Sequence, residues 1–130
     1  MEPKIGTSHT VSMVVDAAHT ARAVGSGAID VYATPMMIAL MEQAATECLA
    51  QFLPREQSSV GTRVEVSHDA ATPVGMRVSA TATITATDRR RVDFIVEASD
   101  AAGKIGSGIH SRVIIDKERF LQKTAEKLSK

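Results

Sequence analysis

The 130-residue sequence has no tryptophan, one tyrosine, three phenylalanines and one cysteine. With aromatic residues at 3%, the interior must be built from Ala, Val, Ile, Leu and Met, which stack as thin, closely spaced layers. A single cysteine, Cys48, excludes an intrachain disulfide and a thiolate metal cluster, and it points to a reducing cytoplasm. Fifteen basic and fifteen acidic residues cancel, which argues against nucleic-acid binding through a general phosphate field. No apolar run approaches a membrane span, and the opening MEPKIGTSH lacks the basic-then-apolar plan of a signal peptide. The expectation is one soluble domain, 1–130, with no nucleic-acid or membrane partner and no metal.

What is present is ordered periodicity. Residues 7–16 read as a first strand, followed by a short extended piece and a glycine-softened loop in AHTARAVGSGAID. A long helix then starts with Thr34 as N-cap and Pro35 in the first helical position, and Pro54 stops it. Four strands follow, at 59–70, 75–87, 91–99 and 104–115. In the second of these, Val78, Ala80, Ala82, Ile84 and Ala86 face one way, and Ser79, Thr81, Thr83, Thr85 and Thr87 the other. Its neighbour carries Val92, Phe94, Val96 and Ala98 on one face, and the two form a hairpin across TDRRR. The tail from Asp116 reads as an Asp-capped, short amphipathic helix with Phe120, Leu121 and Leu128. A long central helix and an antiparallel sheet with a small-residue inner face define an α+β chain of the hotdog type, the sheet wrapping the helix.

The helix raises one chemical question. Glu42 has Ile38, Ala39, Ala45, Thr46 and Leu49 as its helical neighbours, whereas Gln43, Glu47 and Gln51 form a water-facing stripe elsewhere on the surface. A carboxylate off that stripe is either a snorkelling border residue or a group held for chemistry. On the strand 59–70, strict alternation puts Val60, Thr62, Val64, Val66 and His68 on one face and Gly61, Arg63, Glu65 and Ser67 on the other. A histidine on an apolar face is commonly a satisfied core residue, and Thr34 by itself reads as a cap. Together Thr34, Glu42 and His68 supply the hydroxyl, carboxylate and imidazole that hydrolysis needs, beside a helix N-terminus able to receive a developing oxyanion. Cys48 reads as core filler, Arg89, Arg90 and Arg91 as a solvated hairpin tip, and His110 as an exposed edge residue; His9 and His19 stay unassigned.

The stretches VYATPMMIALMEQAA, VGTRVEVSHDAATPVGMRV and GSGIHSRVIID resemble the fluoroacetyl-CoA thioesterase group of hotdog proteins over most of residues 7–120. By position, the resemblance implies that Thr34, Glu42 and His68 are the catalytic residues, that Gly61 is the active-site glycine and that Arg112 lies near the CoA end. It further implies a substrate pocket shaped by Tyr32, Met36, Met37 and a second subunit. In the fluoroacetyl-CoA enzyme, a longer, Phe-containing lid precedes the helix. Here ARAVGSGAIDVY is short with only Tyr32, so the acyl group is not carried over. The implied activity is hydrolysis of a small or medium acyl-CoA, with Glu42 as nucleophile or base, His68 carrying the proton and no cofactor beyond substrate CoA; the exposed edges of such a sheet, one of which a twin chain can cover, give the expectation of a homodimer. Burial of Glu42, offset by a nearby His68, is expected to tune its acidity. The alternatives are a non-catalytic thioester-binding hotdog protein and a hydratase-like enzyme on the same scaffold.

Overall fold

Strands whose side chains alternate between small apolar and hydroxyl residues can bury one face and leave the other wet. The computed structural model, which describes residues 2–129, is organised around that alternation. Its strands are β1 (Ser8–Val14), β2 (Gln57–His68), β3 (Arg77–Asp88), β4 (Arg91–Asp100) and β5 (Gly103–Asp116). They form one antiparallel sheet in the order β1-β3-β4-β5-β2, so β1 and β2 are its edges. The helices are α1 (Ala21–Val24), a single turn; α2 (Thr34–Ala50); and α3 (Lys117–Ala125).

The long helix α2 lies on the inner face of the sheet, packed most closely on β3. Met37, Leu40, Met41, Ala44, Ala45, Cys48 and Leu49 meet Val78, Ala80, Ala82 and Ile84 of β3 and Val92, Phe94, Val96 and Ala98 of β4, all buried. Alanine under the helix lets the two layers approach, while Phe94 fills the wider gap toward β5. On the opposite face of the sheet, hydroxyls pair across β1 and β3, Thr10 with Thr81 and Ser12 with Ser79, each at 2.7 Å. The hotdog architecture is therefore present as expected, a long helix wrapped by five antiparallel strands with a short helix at the C-terminal end.

Several local expectations are corrected. Ala33, not Thr34, is the N-cap of α2; it makes no side-chain cap, and the Thr34 hydroxyl is turned toward β2 instead. The helix stops at Ala50 with Gln51 as C-cap, short of Pro54, and two turn-type hydrogen bonds, Phe52 to Leu49 and Leu53 to Ala50, carry the chain on to that proline. The segment before α2 is helical rather than extended: Thr20 caps α1, and Gly25 ends it in the left-handed region at φ 82°. Asp116 precedes α3 but does not cap it, since its carboxylate accepts from Gln57 Nε2 at 3.2 Å. Phe120 and Leu121 of α3, and Leu128 in the 3-10 turn that follows, stay exposed. Lastly, β2 does not alternate uniformly. A bulge between Gly61 and Arg63 inserts Thr62 as an extra residue, so Ser59 and Gly61 share the inner face with Val66 and His68.

Candidate active site

Two groups of polar side chains gather between α2 and the inner face of β2 and β5. At the start of α2, Thr34 Oγ1 and His68 Nδ1 are hydrogen bonded at 2.7 Å. The His68 ring stands edge-on to Tyr32, with ring centres 6.5 Å apart, and its Nε2 is enclosed without a hydrogen-bond partner among the described residues. Beside this pair opens a cavity of about 240 Å³, bordered by Tyr32, Thr34, His68, Asp69 and the small residues Ala21, Ala70 and Ala71. The Tyr32 hydroxyl points away from it, donating to the Met36 carbonyl at 3.1 Å, and burial pushes the phenol up to about 12.

Two turns further along α2, Glu42 projects toward the bulge of β2. Its side chain remains 40% exposed, and Oε2 accepts from Arg112 Nη1 at 3.3 Å. Enclosure by Ile38, Ala45 and Leu49 is thus not what surrounds this carboxylate, and its charged partner is Arg112 rather than His68. Arg112 is only 6% exposed, and its guanidinium is held by Ser59, with Nε donating to Oγ at 2.8 Å and Nη2 to the backbone carbonyl at 3.0 Å. Burial draws its pKa down, with the charge of Glu42 acting the other way. Gly61 stands directly against the carboxylate: a Cβ there would lie 2.6 Å from Glu42 Oε2. Only glycine leaves room for this approach.

The expected site residues therefore fall into two sets within one chain. Thr34, His68 and Tyr32 are together, and Glu42, Gly61 and Arg112 are together. Thr34 and Glu42 are eight residues apart on one helix, about 12 Å along its axis at 1.5 Å per residue. Met36 is half-buried and meets Tyr32 through its carbonyl, while Met37 is fully enclosed in the core, its sulfur beneath Gly106; neither borders the cavity. No three His, Cys, Asp or Glu side chains converge to hold a metal among the described residues.

Two members of the second set were not anticipated. His110, expected at an exposed edge, is 1% exposed because β5 runs between β4 and β2 in the interior of the sheet. The readable signal was its i,i+2 relation to Arg112 on one strand face. Ser59 reaches Arg112 only because the bulge rephases β2, and period-2 counting alone assigns it to the other face.

Known proteins resemble this chain in sequence and in fold. A family model described as fluoroacetyl-CoA-specific thioesterase matches residues 15–118. The fluoroacetyl-CoA thioesterase of Streptantibioticus cattleyicolor is 40% identical over 98 residues, 75% of this chain and 70% of that protein. A crystal structure of a fluoroacetyl-CoA-specific thioesterase variant in complex with fluoroacetate and CoA superposes with a TM-score of 0.85 at 36% identity, covering 90% of this chain and 98% of the other. A thioesterase superfamily member from Thermus thermophilus superposes at 0.88 with 31% identity, covering 98% of this chain and 97% of that one. The chain belongs to the fluoroacetyl-CoA-specific thioesterase family.

Proposed function

We propose that this protein hydrolyses a short acyl-CoA thioester to the free acid and CoA, and that it does so as a homodimer in the cytoplasm. The observation that carries the reading is Glu42, a carboxylate on the inner side of α2, pressed against Gly61 with one oxygen steered by a buried arginine. The other oxygen makes no hydrogen bond among the described residues and can attack the thioester carbonyl or take a proton from an attacking water. A C–O bond forms and the C–S bond breaks; where Glu42 itself attacks, a water then opens the acyl–Glu42 anhydride, giving the free acid and restoring the carboxylate. The departing CoA thiolate takes a proton from His68, whose ring Thr34 orients, and His68 regains that proton from the water consumed. At the start of α2, Pro35 has no N–H and Met36 and Met37 donate to the Ala33 carbonyl, so the groups offered to the oxyanion are the Thr34 N–H and the N–H of the unpaired Thr62 in the β2 bulge. Every step is proton transfer or acyl transfer, so no cofactor beyond the CoA of the substrate is invoked.

The axial separation between Glu42 and the Thr34–His68 pair supports the dimer. β2 is an edge strand of 12 residues with an unpaired outer side. Antiparallel pairing of two such strands about a two-fold axis sets the His68 end of one beside the Ser59 end of the other, so that each Thr34–His68 pair meets the partner's carboxylate. A cavity of about 240 Å³, with Ala21, Ala70 and Ala71 in its wall beside Tyr32 and His68, favours a short acyl group. The single buried cysteine suits a reducing compartment.

A panel of acyl-CoAs assayed for free thiol release tests the activity, with short chains expected to turn over fastest. Saturable CoA binding without thiol release would replace hydrolysis with a binding role. A light-scattering mass equal to one chain at micromolar concentration would overturn the dimer.

A further inference from the structure

His110 is fully enclosed, and the reaction scheme above does not use it. Its ring stacks on Phe94, with centres 6.1 Å apart and planes 28° apart, and both nitrogens are engaged. Nδ1 lies 2.7 Å from the carbonyl oxygen of Arg63, at the far side of the β2 bulge. Nε2 lies 3.2 Å from Arg112 Nη1. A carbonyl can only accept and a guanidinium can only donate, so both contacts require the same neutral tautomer, with the proton on Nδ1 and a lone pair on Nε2.

This lone pair completes the arginine. Nη1 has two hydrogens, one directed at Glu42 Oε2 and the other at His110 Nε2, while Nε and Nη2 are taken by Ser59. Taking the thioesterase reading as its basis, we propose that His110 is a positioning residue: as the Nδ1–H tautomer it locks the Arg112 fork, and through it the reactive carboxylate of Glu42, to the bulge that carries Gly61. A protonated ring would turn an N–H toward Arg112 and break the clamp. Burial first, and the charge of Arg112 in addition, hold the imidazole below its ordinary value against the opposing pull of the Arg63 carbonyl and Glu42. Arg112 on the same strand and Glu42 on α2 are the charged groups that face it; β2 offers the Arg63 carbonyl and β4 the Phe94 ring.

The test is a mutant cycle read by turnover. His110→Phe preserves the stack on Phe94 but has neither donor nor acceptor, and it is expected to lower kcat about tenfold or more with KM changed by less than about threefold. His110→Gln, which retains an N–H and an oxygen, should recover part of the loss. In an Arg112→Lys background the forked Nη1 is gone, and His110→Phe should cost less than about twofold. Equal fold-losses in both backgrounds would show that the ring only fills space, and would overturn the proposal. An imidazole nitrogen-15 spectrum of the unaltered protein at pH 7 provides a readout independent of turnover and of whether His110→Phe folds. A bare Nε2 and a protonated Nδ1 are expected, and the opposite tautomer or an imidazolium would refute the clamp. If no acyl-CoA released thiol, the function would fall while this spectrum still decided the tautomer.

Discussion

Replacing Gly61 by alanine separates what the site needs from what the fold needs. The new methyl carbon would fall 2.6 Å from Glu42 Oε2, 3.2 Å from His110 Cε1 and 3.3 Å from Arg112 Nη1. The first contact is impossible and the others are tight, so the carboxylate must move. It can do so cheaply, because it is the far end of a flexible side chain that is 40% exposed. Gly61 is not among the positive-φ glycines, so alanine meets no backbone strain. A glycine in a strand is itself disfavoured by roughly 0.5–1 kcal/mol relative to alanine. This gain offsets part of the crowding against His110 and Arg112, a cost on the order of 1 kcal/mol where neighbours must give by tenths of an ångström. Net stability should therefore stay within about 1 kcal/mol of the parent, a shift of roughly 4 °C in Tm for a chain of this length. Displacing the reactive carboxylate by about 1 Å costs about a hundredfold in rate. Thiol release from the best acyl-CoA, measured beside thermal unfolding, should thus show a large loss of kcat with little loss of Tm. Parent-level turnover would refute the argument that Glu42 acts from its seat against Gly61. A collapse in Tm with turnover preserved would refute the argument that the carboxylate absorbs the clash.

Glu42→Gln should lower turnover on the order of a hundredfold while CoA still binds, as titration calorimetry can establish; an undiminished rate in a folded protein would make the carboxylate a bystander. Thr34→Ala should slow turnover by about tenfold or more yet leave Tm nearly unchanged, because Ala33 is the N-cap and the Thr34 hydroxyl serves His68; Thr34→Ser should restore rate. Tyr32 is the one tyrosine in the chain, so tyrosinate absorbance follows it alone. Its phenol titrates near 12 when folded against 10.0 otherwise, so the unfolded chain loses its proton first, and stability should fall above pH 10 by roughly 2–3 kcal/mol in all. Denaturant titrations from pH 9 to 12 should show that slope, and Tyr32→Phe should remove the phenol's share of it, leaving the share of the buried Cys48 thiol, which burial also pushes up.

The parts of this fold that were readable from sequence are those set by local periodicity. Val78, Ala80, Ala82 and Ile84 alternate with hydroxyls without interruption, and the core follows that phase. Glu42 departs from the Gln43–Glu47 stripe, and the structure indeed turns it toward β2 while Gln43 and Glu47 face water and bond each other. The bulge at Thr62 was not readable, because an extra residue is a property of the pairing between β2 and β5 rather than of either strand alone. The burial of His110 depends likewise on strand order: an i,i+2 His and Arg on one strand face solvent at an edge and a site in the interior. The Thr34 cap failed for a related reason. A hydroxyl at a helix start has two possible partners, and the imidazole that won is 34 residues away.

The bulge links these corrections to the chemistry. With uniform alternation along β2, a strand presenting His68 to the helix would present Val60 and Thr62 as well, and Ser59 and Gly61 would face away. Glu42 would then meet a β-branched side chain, and Arg112 would lose both oxygens of Ser59 that anchor its fork. One inserted residue lets the same strand offer an imidazole at one end and a glycine and serine at the other, all on the inner face. His110 ties its ring to the carbonyl of Arg63, the residue that closes the bulge, so the rephased strand and the arginine are held by one side chain. A change of phase between the two ends of β2 would disable the Glu42 end of the site while leaving the Thr34–His68 hydrogen bond in place, whereas losing the extra residue alone would not. Deleting Thr62 joins Gly61, opposite Arg112, to Arg63, opposite Ser111, so Ser59, Gly61 and His68 keep one face and turnover should persist in a protein that still folds, lowered only by the loss of the Thr62 N–H. Turnover abolished in a folded deletion variant would mean that the bend of the bulge, and not the phase of β2 alone, governs where Glu42 acts.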